Sequence, residues 1–261
     1  MSTSLERRGR WFEAFVDGFR RGGPDDLRNV RLKHEHSLEV LGIAERIAPA
    51  ALPGERLRSL ALIAALYHDC GRFPQYVRYR TFNDTESINH GVLGARVLRE
   101  ERGALEGLDP EGRRLVLGTV FLHNRKTLPP RLPEPLRMML HVVRDSDKLD
   151  IMRVMLEHFD PDKPKNPVAT LRLVDDPERY TPEILDSAMR RETPDYRSMR
   201  WLNDFKLLLL AWTFDLSWPE SLAVFRERGY ADQLAAVLPR RREFEALLHL
   251  VRTHLGNGGG H

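Results

Sequence analysis

Apolar residues recur at helical spacing along nearly the whole chain, and five of the helical segments interrupt their apolar face with a histidine or an aspartate. Trp11, Phe12, Phe15, Val16 and Phe19 mark one face of a first helix. The stretch "RGGPDD" (21–26) ends it, and Asp25 and Asp26 suit the start of a second helix that carries Leu38, Leu41, Ile43 and Ile47. "APAALPGE" (48–55) reads as a turn. A helical run over 55–69 follows and closes on "HDCGR", with Gly71 as its C-terminal stop. Residues 73–86 show no clear period and read as a loop. Ser87 is the expected cap of a helix over 88–101. Further helices are predicted over 110–124, 134–159, 182–192, 199–216, 218–228 and 240–255, separated by proline-rich stretches such as "TLPPRLPEP" and "DPDKPKNPV". No segment alternates at strand period over a useful length, so the chain is expected to be all-α.

No linker marks a second independent domain, so residues 1–261 are expected to form one domain, with helices over about 180–255 packed on the rest. A chain of 261 residues can bury a substantial core. The balance of 41 Lys+Arg against 38 Asp+Glu is too even to point to nucleic acid as the partner. Cys70 is the only cysteine, which excludes an internal disulfide and a cysteine-rich zinc site and leaves Cys70 as small buried filler. No apolar run reaches membrane-spanning length, and "MSTSLERRGRWFEAF" lacks the apolar core of a signal peptide. A cytoplasmic location without a membrane partner is therefore expected. The terminal "GNGGGH" is flexible in composition, and His261 is set aside.

The interrupted helices carry the chemistry. "KHEHSLEV", "YHDCGR", "SINHGVLGA", "FLHNRK" and "RDSDKLD" each place an imidazole or carboxylate among apolar neighbours, where an unpaired charge is costly. Convergence on a metal centre would satisfy all five together, since imidazole nitrogen and carboxylate oxygen suit Fe, Mn, Mg, Co, Ni or Zn. His34 and His36 cannot easily share a helix face, and His34 suits the surface or a helix-start contact. Asp145 and Asp147 are about 200° apart at helical period, so they face different ways. Asp145 reads as a supporting acceptor or a solvated group, and Asp150 as the partner of a cation such as Arg153 or Lys148. His141 and Asp145, one turn apart, form a weaker candidate pair.

The order His36, His68-Asp69, His90, His123, Asp147 resembles the HD-domain superfamily of metal-dependent phosphohydrolases, in its longer H…HD…H…H…D form. The resemblance covers residues of about 26–160 and implies an all-helical HD-domain bundle with the remaining C-terminal helices added to it. It implies that His36, His68, Asp69 and Asp147 bind one metal ion and His90 and His123 a second, with Asp69 bridging. A carboxylate has lone pairs on two oxygens and can span two ions. Two ions about 3.5–4 Å apart can share and acidify a water and clamp phosphoryl oxygens.

Cations near these residues complete the expected site. Arg72, in "HDCGR", stands where some phosphodiesterases of the superfamily carry a lysine, and it suits bidentate contact with phosphate. Lys33, Arg80, Asn124 and Lys126 are further substrate-binding candidates. Lys126 and Lys148 are candidates for the leaving-group acid, with Asp69 and Arg72 the other catalytic candidates. The expected activity is hydrolysis of a phosphomonoester or phosphodiester, a nucleotide or related small phosphate, by a hydroxide activated between two metal ions. The "GYP" stretch of the cyclic-dinucleotide enzymes is absent, so that substrate is not carried over. Two rival readings share the ligand set: a mixed-valent diiron oxygenase of the superfamily, and an inactive metal- or nucleotide-binding sensor.

Overall fold

Helix α3 (Glu55–Tyr67) is buried without interruption from Leu60 to Tyr67. A helix apolar on every side must lie inside the protein, and in this computed structural model, which describes residues 2–257, α3 is packed by α1 (Ser2–Asp17), α2 (Pro24–Ala51) and α6 (Pro110–Leu122). Its last turn leads directly into His68 and Asp69, so burial of the helix forces burial of that pair. The remaining elements of this region are α4 (Arg72–Tyr79), α5 (His90–Glu100) and the first part of α7 (Glu134–Phe159).

Local chemistry sets the helix starts. Pro24 opens α2, and the Asp26 carboxylate accepts the Gly23 N–H at 3.1 Å. Asp109 caps α6 by accepting the Gly112 N–H, with Pro110 in the first helical position. The cap of α5 is Asn89, which accepts the Val92 N–H at 3.0 Å, and not Ser87. Ser87 instead donates to the Asn83 carbonyl.

Several segments depart from the sequence pattern. Arg72–Tyr79 is helical although its polar and aromatic residues hide the period: Phe73, Gln75 and Tyr76 face inward. α2 continues through Pro49 to Ala51, beyond the expected turn at 48. Gly71 has right-handed backbone angles and so does not stop α3 in the left-handed manner. Its role is close approach. A Cβ there would lie 2.1 Å from the His90 carbonyl oxygen and 2.6 Å from the Gly94 nitrogen, so only glycine lets the start of α5 rest on the turn after His68-Asp69.

Contacts divide the chain into two compact units, Met1–Asp150 and Ile151–His261. The boundary falls inside α7, not in a linker, which is why composition does not mark it. The second unit holds α8 (Pro182–Met189), α9 (Leu202–Ala211), α10 (Pro219–Glu227), α11 (Tyr230–Val237) and α12 (Arg242–Asn257). Of the expected helix over 199–216, α9 and a 3-10 turn at Trp212–Asp215 form while 199–201 is not helical, and α11 has no counterpart in the sequence pattern. α9 is buried along its whole length and contacts α8, α11 and α12. Its start is fixed by Asp204, whose carboxylate accepts the N–H groups of Thr181, Arg200 and Trp201.

The described residues contain no strand, only an isolated bridge between Val174 and Trp201, so the protein is all-α. No described helix is long and apolar enough to cross a membrane. The set-aside His261 lies outside the described residues.

The glycine contact yields a stability test. Gly71→Ala must push α5 away from the turn, and overpacking of this kind costs about 1–3 kcal/mol. Denaturant unfolding is expected to show a loss of that size, while Gly42→Ala, inside α2 where a Cβ meets nothing within 4 Å, is expected to cause no loss.

Candidate metal centre

The first unit brings six of the expected donors together from five helices. His36 lies in the middle of α2, and His68 and Asp69 follow the last turn of α3. His90 is the first residue of α5, His123 the C-cap of α6, and Asp147 lies within α7. The four histidines and Asp69 are buried, and the Asp147 side chain is 19% exposed.

Each imidazole commits one nitrogen outward. His68 Nδ1 donates to the Ala65 carbonyl and His123 Nδ1 to the Val120 carbonyl, both at 2.7 Å. These are the contacts open to a histidine that ends a helix and turns back on the carbonyl three residues earlier. His36 Nδ1 donates to Asp150 Oδ2 at 2.7 Å, and His90 Nδ1 to the Asp84 carboxylate at 2.8 and 2.9 Å. A carbonyl or an ionised carboxylate can only accept, so the proton is assigned to Nδ1 in every case and Nε2 is the nitrogen turned inward.

The inward atoms crowd one another. His90 Nε2 and His123 Nε2 are 3.0 Å apart, and His36 Nε2 and His68 Nε2 are 3.2 Å apart. Asp147 Oδ1 lies 3.1 Å from His36 Nε2 and 3.6 Å from His68 Nε2. The two oxygens of Asp69 divide between the pairs. Oδ2 is 3.5 Å from His36 Nε2 and 3.7 Å from His68 Nε2, while Oδ1 is 3.3 Å from His90 Nε2 and 3.9 Å from His123 Nε2. Two sets of ligand atoms lie within 4.8 Å of one another: those of His36, His68 and Asp147, and those of His68, Asp69 and His123.

Electrostatics distinguishes the two pairs. For His36, burial and the charge of Lys33 oppose protonation, but hydrogen bonds to Asp147 and Asp150 prevail and raise its pKa to about 9. His123 is pushed down to about 3, by burial first and then by His90 and His68. His90 is lowered by burial and by Arg72, against the pull of Asp84. His90 and His123 are therefore neutral and face each other with lone pairs. Burial works against ionisation of Asp69, yet the charges of Lys33 and Arg72 help to hold its pKa well below the ordinary carboxylate value. Asp147 is likewise held low by His36 and His68 despite burial.

This donor set fits a cation. Two lone pairs at 3.0 Å repel unless positive charge lies between them. A metal with bonds of about 2.1 Å separates neighbouring ligand atoms by about 3.0 Å in octahedral and about 3.4 Å in tetrahedral geometry, close to most of the separations found here. The outward hydrogen bonds also supply what a ligating histidine needs, a fixed tautomer and ring orientation.

The other predicted residues are distributed unevenly. Lys33, one turn before His36 and 15% exposed, donates from Nζ to Asp69 Oδ2 at 2.8 Å. Arg72 is drawn inward: Nη1 donates to Gln75 Oε1, the Phe82 carbonyl and Asp84 Oδ1, and Nε lies 3.5 Å from Asp69 Oδ1. Asn124 donates to Asp84 Oδ2 at 2.9 Å. Arg80 points elsewhere, onto Asp26 and the Tyr76 ring. Lys126 is exposed beyond the end of α6, whereas Lys148 and Asp145 are buried in α7.

Two acceptors were not singled out for the metal centre from sequence. Asp150 carries His36, a role beyond the cation pairing expected of it; its place one turn after Asp147 on the same helix face is the signal that could have found it. Asp84 carries His90 from a loop, where no periodicity gives a signal.

A family model described as HD domain matches residues 34–175, more than half of the chain. No curated protein and no solved structure matches it.

The asymmetry of the two pairs has a measurable consequence. A cation entering at His36 must displace the Nε2 proton retained up to about pH 9, so affinity there rises with pH up to that value and proton release accompanies binding near neutrality. His90 and His123, already neutral, contribute none. Titration calorimetry in two buffers of different ionisation enthalpy is expected to show net proton release near neutrality that falls away above about pH 9, and no release near neutrality would contradict the assignment.

Proposed function

The chain belongs to the HD-domain family, and from that premise we propose that it is a metal-dependent phosphohydrolase acting on a phosphomonoester or phosphodiester, a nucleotide or related small phosphate. The observation that carries the metal dependence is the confrontation of His90 Nε2 and His123 Nε2 at 3.0 Å with both Nδ1 protons directed outward. In this reading His36, His68, Asp69 and Asp147 would hold one ion and His90 and His123 a second, with Asp69 available to both. The division of the two Asp69 oxygens between the histidine pairs supports the bridge. When bound, two such ions acidify a water for attack on phosphorus and neutralise charge on the phosphoryl oxygens.

The protein's own groups do the rest. Asp84, Asp147 and Asp150 reach the imidazoles, and Lys33 and Arg72 reach Asp69. With two divalent ions bound, these groups together with Asp69 would be net positive, which favours an anionic substrate. Lys33 is the group suited to meet it, because its ammonium is partly exposed at the edge of the site. Arg72 serves instead as a strut between Asp69 and Asp84, with its Nη1 hydrogen bonds already made inside the protein. Arg80 is assigned no part in substrate binding, because Asp26 and Tyr76 hold it. Lys126 and Lys148 remain the candidates for protonating the leaving group.

Screening the metal-loaded protein against phosphomonoesters and phosphodiesters tests the activity. Asp69→Ala is expected to lower turnover by at least about 100-fold, the scale set by losing one preorganised electrostatic partner of a transition state. Lys33→Met is expected to act mainly on KM. Turnover unchanged in Asp69→Ala would overturn the mechanism. Consumption of dioxygen with a non-phosphate substrate would replace it with the oxygenase reading.

A further inference from the structure

Asp84 lies outside every expected motif, yet five side chains converge on it. Its carboxylate accepts from His90 Nδ1 at 2.8 and 2.9 Å, Gln75 Nε2 at 2.9 Å, Asn124 Nδ2 at 2.9 Å, Arg72 Nη1 at 3.0 Å and Asn89 Nδ2 at 3.3 Å. A carboxylate offers about four lone-pair sites, so this one is saturated with donors and has no place for a proton of its own.

The loop that presents it is firmly held. Asn83 Oδ1 accepts from the Thr85 N–H and hydroxyl, the Asn83 N–H donates to Thr81 Oγ1, and Ser87 Oγ donates to the Asn83 carbonyl. Gln75, fully buried, also donates to Ser87 Oγ and the Ile88 carbonyl. Phe82 packs against Tyr76 with ring centroids 5.3 Å apart. Asp84 is thus fixed from both sides of the chain, and through Arg72 it reaches the turn that carries Asp69.

We propose that Asp84 is a positioning residue that holds His90 as the Nδ1–H tautomer beside His123, and so governs cation binding at the His90–His123 half of the site and not at the His36–His68–Asp147 half. This inference rests on the metal-binding reading above. The chemistry follows from what an amide would do in its place. Asparagine at 84 presents an NH2 group to a cluster made only of donors. His90 can relieve that conflict by moving its proton from Nδ1 to Nε2, accepting from the amide and donating to His123 Nε2, 3.0 Å away. That exchange satisfies the pair without a cation and removes the lone pair a cation would need. The other half has its own acceptors, Asp150 for His36 and the Ala65 carbonyl for His68, so its imidazoles are held without the loop.

The test compares the full-length wild type with Asp84→Asn, both stripped of metal and confirmed folded by circular dichroism. Nitrogen-15 NMR of the imidazoles reads the tautomer directly: His90 is expected as Nδ1–H in the wild type and as Nε2–H in Asp84→Asn. Titration with Mn(II), followed by metal analysis, is expected to show one equivalent weakened about 10–100-fold in Asp84→Asn, the usual effect of removing a partner behind a ligating histidine, and the other unchanged. An Nε2–H His90 in the wild type overturns the proposal even if the variant fails to fold. So does a folded Asp84→Asn with the wild-type tautomer and affinities, or one in which both equivalents weaken together. A wild type that binds a single ion overturns the dinuclear reading instead, and the tautomer of His90 still decides the role of Asp84.

Discussion

The carboxylate of Asp69 is buried at the end of an apolar helix, and the first unit is organised around it. Lys33 reaches it from α2, Arg72 from α4, and four imidazoles surround it from α2, α3, α5 and α6. An isolated ion in such a place would be neutralised by a shifted pKa. Here the surrounding groups reverse that tendency and keep Asp69 ionised. Glycine at 71 belongs to the same arrangement, because it lets α5 come near enough for His90 to reach Asp69.

The two histidine pairs around Asp69 differ in charge. His36 lies between two carboxylates, Asp147 on Nε2 and Asp150 on Nδ1, and carries its own positive charge near neutrality. His90 and His123 have one carboxylate and one carbonyl behind them and stay neutral. One half of the site therefore carries a proton where the other holds open lone pairs. A centre built this way is asymmetric before any ion enters, and the asymmetry comes from groups outside the inward donor set.

The second unit is ordered by a similar economy around α9. Its ten residues are all buried, and the polar groups among them are answered locally. Asp204 takes up the free N–H groups at the helix start. Lys206 donates to Asn203 Oδ1 and the Val237 carbonyl, and burial lowers its pKa to about 8. These contacts account for charged residues inside an apolar helix without any catalytic role.

Helical period alone determined the all-α class, because segments such as 240–255 repeat their apolar face over several turns, with Phe244, Leu247, Leu248, Val251 and Leu255 on the buried side. The histidines and aspartates that break those faces were equally legible, since an ionisable group in an apolar run has to be explained by a partner. The helix α4 was hidden, because only Phe73, Gln75 and Tyr76 face inward and one of them is polar. Tertiary structure alone decided which nitrogen of each imidazole turns inward, because the deciding acceptor can lie far along the chain: Asp150 is 114 positions from His36. It also decided that Arg72 braces two carboxylates and that Gly71 is there for a neighbouring helix. Periodicity reports which side of a helix is buried. Hydrogen-bond partners are chosen by proximity in space, and a loop residue such as Asp84 acquires its meaning only when the chain closes around it.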